Sequence, residues 1–256
     1  MNPVRTRLAA AAMGVGLVVA APAAAWAAPR RPVTTAPTTS SASPTDSTRR
    51  DIEVVRAKCL AAIDLRLPAL AAARAAVTAN GHATHDHETA LTSNIDDTTA
   101  RLRTLADAIK GDSDPAALRN DCRSIFEDNR VFALVLPRTR LVVGADTATD
   151  AGAKLGDVAG KLGDAIAKAE AAGQDVTQAK VDLDALKAAT ASGVAAAGTV
   201  PGAVLGLTPA DWNANHEVLT PARQSLRAAR TDLKVARDLA VKIRNELKPA
   251  AASPRS

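Results

Sequence analysis

Aromatic side chains are nearly missing from this chain: it has no tyrosine, two phenylalanines and two tryptophans among 256 residues. Surfaces that stack bases or sugar rings present several such groups, so stacking platforms of that kind are excluded. Cysteine occurs only at positions 59 and 122. Two cysteines without C-x-x-C spacing exclude both a disulfide-dense scaffold and a dithiol redox motif. The chain also lacks a G-x-S-x-G elbow, a phosphate-binding glycine loop and a Cys–His nucleophile arrangement. The adjacent acids Asp96-Asp97 and Glu127-Asp128 diverge on a helix rather than converge. The expectation is a protein that is not an enzyme, with no catalytic residues and no cofactor.

What is present begins with the layout of a secretory signal peptide over residues 1–27. Arg5 and Arg7 precede an apolar run, Leu8 to Ala20, and the small-residue site Ala25-Trp26-Ala27 follows. Cleavage there leaves Ala28-Pro29 at the new N-terminus. The alternative is a retained anchor over Leu8 to Ala28, about the length a span needs. Its alanine and glycine content and Pro22 make it weakly hydrophobic. No cysteine follows the run to carry a lipid. The expected location is therefore secreted or extracellular, with cell-wall association an option, and no transmembrane segment remains after cleavage.

Residues 28–50 are rich in Pro, Thr and Ser and hold almost no large apolar side chain. Such a segment cannot bury enough surface to offset its ordering entropy, so it reads as a disordered linker with a reach of up to roughly 70 Å. A plain spacer and an O-glycosylated stalk are both consistent with that composition. Residues 249–256 read as a disordered tail.

The formal net charge is +5. Arg5 and Arg7 contribute +2, Arg30, Arg31, Arg49 and Arg50 against Asp46 contribute +3, and Arg255 adds +1, so residues 51–248 carry −1. A nucleic-acid-binding domain is itself basic, and this body is not. No nucleic-acid partner is expected.

From residue 51 onward apolar residues recur every three to four positions, the pattern of amphipathic helices. The first helix carries Ile52, Val55, Cys59, Ile63, Leu67, Leu70 and Val77, with a kink expected at Pro68 and an end near Asn80-Gly81. A second carries Leu91, Ile95, Leu102, Leu105 and Ile109 and stops at Gly111. Asp114-Pro115 opens a third. Residues 131–143 are dense in leucine and β-branched residues; a strand there has no partner, so two helices abutting at Pro137 are expected. The fourth helix follows Leu141, Ala145, Ala148, Gly152, Leu155, Ala159, Leu162, Ile166 and Ala169 to Gly173. Asp175 and Gln178 resemble a capping box for a fifth, running to about Thr199. Thr208-Pro209 begins a short turn of helix, and the last helix runs from about Asn215 to Leu247.

The implied fold is all-α: an elongated, antiparallel, coiled-coil-like helical bundle of two three-helix units, 51–136 and 137–248, sharing a long helix through Pro137. In an up-down-up unit the first and third helices run parallel. That puts Cys59 and Cys122 at one depth and predicts a structural disulfide. The glycines at 152, 156, 160 and 163 mark either close backbone approach or a locally soft helix.

Two clusters are candidates for binding. His82, His85 and His87, with Glu88, fall in one window between the first two helices, and imidazole with carboxylate at short spacing can hold Zn²⁺ or a related metal. The plain alternative is that Thr84 or Asp86 caps the second helix and the histidines are solvated. On the last helix, Arg223, Arg227, Arg230, Lys234, Arg237, Arg244 and Lys248 draw a basic ridge about 37 Å long. It reads either as a coiled-coil flank paired with Asp146, Asp150, Asp157 and Asp164, or as a contact for an anionic envelope polymer, a lipid surface or an acidic protein partner.

The stretches CLAAIDLRLPAL, NRVFALVLPRTRLVVGAD and LTPADWNANHEVLTPARQSLRAAR resemble those of alanine-rich secreted proteins of actinobacteria, over most of residues 51–248. The resemblance implies export and an all-helical body. It supplies no activity, ligand or site residue, and the cysteine pair and histidine cluster are not part of its pattern. The leading expectation is a non-enzymatic exported helical scaffold or binding protein at the cell envelope; the alternative is a secreted metal-binding protein using the histidine cluster.

Overall fold

A computed structural model describes residues 44–248; the segment read as a signal peptide, most of the segment read as a linker and the tail from 249 lie outside the described residues. The described part is all-α: α1 (Pro44–Thr78), α2 (His85–Gly111), α3 (Pro115–Glu127), a π-helical turn (Val131–Val135), α4 (Leu136–Ala171), α5 (Thr177–Val204), α6 (Pro209–Ala214) and α7 (Thr220–Glu246). No strand occurs among these residues.

Helix α1 starts seven residues before the periodic apolar pattern does, taking in residues assigned to the linker. Pro44 suits a first helical position, and Asp46 in the first turn complements the helix dipole. Pro68 lies inside α1 on its exposed side, and helix continues on both sides of it. The carbonyl it leaves without a donor belongs to exposed Asp64, where water can serve. Buried Cys59, Ile63, Leu70 and Val77 form the inner stripe. Facing them from α2 are Leu91, Ile95, Leu102 and Ile109, and from α3 Leu118 and Ile125. The Cys59–Cys122 disulfide joins α1 to α3 with a Cα–Cα distance of 5.5 Å. Gly81 turns the chain between α1 and α2 at φ 64°, a conformation that costs glycine little.

Side-chain capping marks the starts of α2, α3 and α6. Thr84 Oγ1 accepts from the His87 amide at 3.3 Å. Asp114 accepts from the amides of Ala116 and Ala117, both at 3.1 Å, and these two bonds hold its carboxyl below the usual range. Thr208 and Asp211 form a reciprocal capping box on α6. At α5 the expected Asp175–Gln178 box does not form. Asp175 accepts from the Thr177 amide at 3.0 Å, while Gln178 donates forward to Asp182 at 3.1 Å.

The ambiguous stretch after α3 is a wide helical turn rather than a strand or a plain helix junction. Arg130 enters it with φ 37°, and the amides of Val135 and Leu136 reach back five residues, to Arg130 and Val131. Pro137 follows as an early residue of α4, where its missing N–H is tolerated. The last helix begins at Thr220, five residues later than expected. Pro221 cannot donate to a preceding turn and so suits a helix start.

Helices α4, α5 and α7 form a bundle in which α5 runs antiparallel to the other two. Gly152 of α4 meets Val194 of α5, and Gly193 of α5 meets Ala229 and Leu233 of α7. Asp182, near the start of α5, binds Lys242 near the end of α7 at 2.5 Å. One buried cluster runs from Cys59 to Leu233 and takes side chains from every long helix. A second, smaller one fills the far end of the α4/α5/α7 bundle around Ile166, Leu186 and Ile243.

Candidate functional site

The basic ridge lies on the solvent side of α7. Ala222, Leu226, Ala229, Leu233, Ala236 and Ile243 are buried, and the cations sit beside that seam. Arg227, Arg230, Lys234, Arg237 and Arg244 are exposed, and Arg223 is half-buried. The helix ends at Glu246, so the helical part of the ridge, Arg223 to Arg244, spans about 31 Å, with Lys248 just beyond it.

The expected pairing of this ridge with the carboxylates of α4 is absent. Asp146 turns instead to the α1–α2 connection, where its two oxygens lie 2.8 and 3.0 Å from His87 Nδ1 and the Thr84 amide donates at 3.4 Å. Asp150 binds Lys154 at 2.7 Å and His82 Nδ1 at 3.0 Å. Lys154, followed by His82, holds the Asp150 carboxyl below the usual range. Asp157 and Asp164 make no ion pair among the described residues. Asp146 and Asp150 are taken up by the histidines of the α1–α2 region and by Lys154 on their own helix, not by α7.

The ridge cations find few substitutes. Lys234 and Arg237 share Asp238, at 2.8 and 3.5 Å, and Lys234 chiefly holds that carboxyl below its usual range. Arg223, Arg227, Arg230, Arg244 and Lys248 make no ion pair among the described residues.

Between α4 and α7 lies a groove of about 540 Å³. Its floor is Gly144, Ala148, Ala151, Leu155 and Leu233, and Lys154, Arg230, Lys234 and Arg237 stand around it. The groove follows from side-chain size. Glycine at 193 lets α5 press against α7: a Cβ there would stand 2.9 Å from Leu233 Cγ and 3.1 Å from the Ala229 carbonyl. Small residues on α4 then leave the opposite seam unfilled. Gly144 has its own task, since a Cβ there would stand 3.1 Å from an Arg230 guanidinium nitrogen. The guanidinium therefore lies directly against the α4 backbone.

The histidine cluster is dispersed. His82 goes to Asp150 and His87 to Asp146, while His85 is exposed and Glu88 half-buried on the first turn of α2. Among the described residues no group of three or more His, Cys, Asp or Glu side chains is placed to hold a metal ion. Thr84 caps α2, and the two imidazoles tie the α1–α2 turn to α4.

Several polar features were not legible beforehand. Arg138 is buried, donating to the Leu207 carbonyl at 2.6 Å and to Asn94, and burial lowers its pKa. Arg66 is buried against both phenylalanines, its guanidinium 4.5 Å from the Phe126 ring centre and 5.2 Å from that of Phe132. Arg56 caps the end of α2 through the carbonyls of Ile109 and Asp112. For the groove the signal was weak: Gly144, Ala148, Ala151 and Leu155 repeat at helical spacing, but Ala148 and Leu155 also belong to the main seam.

Comparison with protein-family models, with curated proteins and with solved structures returns no match. The class that fold and site define is an all-α bundle with a disulfide and a cationic helix face. No helix among the described residues is long and apolar enough to cross a membrane.

Proposed function

We propose that this chain is a non-enzymatic, exported helical binding protein of the cell envelope, and that it engages an anionic partner through α7. One observation carries the reading: five of the seven ridge cations keep no carboxylate partner among the described residues. Side chains that served only to solvate a bundle flank would be expected to pair with the acids that helical packing offers nearby. Here those acids are committed elsewhere or left alone, and a row of positive potential some 31 Å long remains. The disulfide is compatible with an oxidising, exported setting.

The partner class is an anionic envelope polymer, a lipid surface or an acidic protein face. Co-sedimentation with purified wall and membrane fractions across a salt series tests the reading. Binding that weakens with salt, and is lost when Arg223, Arg227 and Arg230 are changed to Glu, is the expected result. Binding indifferent to those changes would overturn it.

A further inference from the structure

We propose that the α4–α7 groove is a binding site for a single-chain amphiphilic anion, of the long-chain carboxylate class. The proposal deepens the reading of α7 as an anion-binding face and rests on it.

The groove has an apolar floor with cations around it, the complement of a chain that is apolar along its length and anionic at one end. At one end Arg230 has no ion-pair partner among the described residues, and its guanidinium lies close to α4 at Gly144, where a Cβ would stand 3.1 Å from one of its nitrogens. A planar guanidinium in that position offers two parallel donors to a carboxylate. From there the floor runs along Ala148, Ala151 and Leu155 on one wall and Leu233 on the other. Thr147 contributes no free donor, because its hydroxyl already donates to the Val143 carbonyl at 2.8 Å. An alkyl chain is the complement of that floor, since nothing on it asks for a hydrogen bond.

Charge sets the sign of the headgroup. Four cations line the groove, and among the described residues the carboxylates paired with them are Asp150 and Asp238 alone. A cationic or neutral amphiphile would leave that excess uncompensated. Size argues against a protein helix as the occupant. The lining spans Gly144 to Leu155 on α4, about 16 Å, and Arg230 to Arg237 on α7, about 10 Å. Two to three helical turns of shallow contact fall short of the roughly 1,000 Å² that a specific protein interface buries. A volume of about 540 Å³ is of the size small ligands occupy.

The test is calorimetric titration of the intact chain, as its host processes it, with dodecanoate below its micelle concentration. Saturable binding of one dodecanoate per chain is expected, with decanoate weaker by three- to fifteenfold for the two lost methylenes. Dodecyltrimethylammonium should not bind. Arg230→Gln should weaken dodecanoate at least about tenfold, the loss of a charge-assisted pair. Ala151→Trp should abolish binding; Ala151 is exposed, so the ring fills the groove without entering the core. Equal binding of the cationic amphiphile, unchanged titration of the Ala151→Trp variant, or no binding of dodecanoate would each overturn the proposal. So would a wild-type dimer in sedimentation velocity that Ala151→Trp dissolves, because the groove would then belong to a second copy. Anionic vesicles separate this proposal from the one beneath it. Vesicle binding that persists while dodecanoate fails rejects the groove alone, and loss of both rejects the anion-binding face as well.

Discussion

The glycines of α4 make one substitution carry opposite signs within a single helix. A Cβ at Gly152 would stand 2.2 Å from Val194 Cγ2, inside any real contact distance. Valine in a helix has one strongly preferred rotamer, so the methyl cannot simply rotate away. Gly152→Ala therefore forces α4 and α5 apart or strains Val194. Overpacking of this kind costs about 1–3 kcal/mol, of which roughly 1 kcal/mol is offset by better helix propensity. At Gly156 and Gly160 nothing lies within 4 Å of an added Cβ, and both positions are exposed. There alanine should stabilise by about 1 kcal/mol each. For a bundle of this size 1 kcal/mol moves Tm by about 2–4 °C, so the Gly156→Ala/Gly160→Ala pair should raise it by roughly 4–8 °C. Thermal unfolding followed by circular dichroism, with urea titration alongside, measures both. If Gly152→Ala raised Tm as much as Gly160→Ala, the close approach of α4 and α5 at that point would be wrong.

Other expectations follow from the same structure. Replacing Cys59 and Cys122 by Ser opens a loop closed across 63 positions and should cost about 4 kcal/mol in the chain-entropy model, read as a lower urea midpoint. The Lys242 ammonium, then Gln178, holds the Asp182 carboxyl below its usual value. A lowered carboxyl pKa contributes stability that is present above the unfolded value, about 3.9, and is lost as pH falls through the folded one. Asp182→Asn should therefore flatten the decline of stability with acid below about pH 4 and leave its shape near neutrality alone. An unchanged acid limb would mean that the Asp182–Lys242 contact carries no linkage.

How much of this was legible in the sequence divides along physical lines. Local chemistry was readable: Asp114-Pro115, Thr208-Pro209 and Gly173 mark helix ends because capping and positive φ (80° at Gly173) depend on neighbours in the chain. The depth match of Cys59 and Cys122 was readable as well, since bundle topology converts helix position into height. Residues 44–50 were not, because their composition argued against order while Pro44 and Asp46 suit a helix start. The partners of Asp146 and Asp150 were not legible either. Heptad reasoning names a helix face, but the angle at which the α1–α2 turn docks decides which base that face meets. The groove is the furthest from sequence. Its two walls belong to α4 and α7, and both press closely on α5, at Gly152 and Gly193, so its width depends on three helices together.

Co-sedimentation with wall and membrane fractions from low to high salt tests the α7 face most directly, comparing the native chain with Arg223→Glu/Arg227→Glu/Arg230→Glu. The native chain should pellet with an anionic fraction at low salt and release as the Debye length shrinks from about 30 Å at 0.01 M to about 3 Å at 1 M. The reversed variant, folded by circular dichroism, should stay in the supernatant throughout. A variant that pellets as the native chain does, with the same salt dependence, would show that α7 is not the contact.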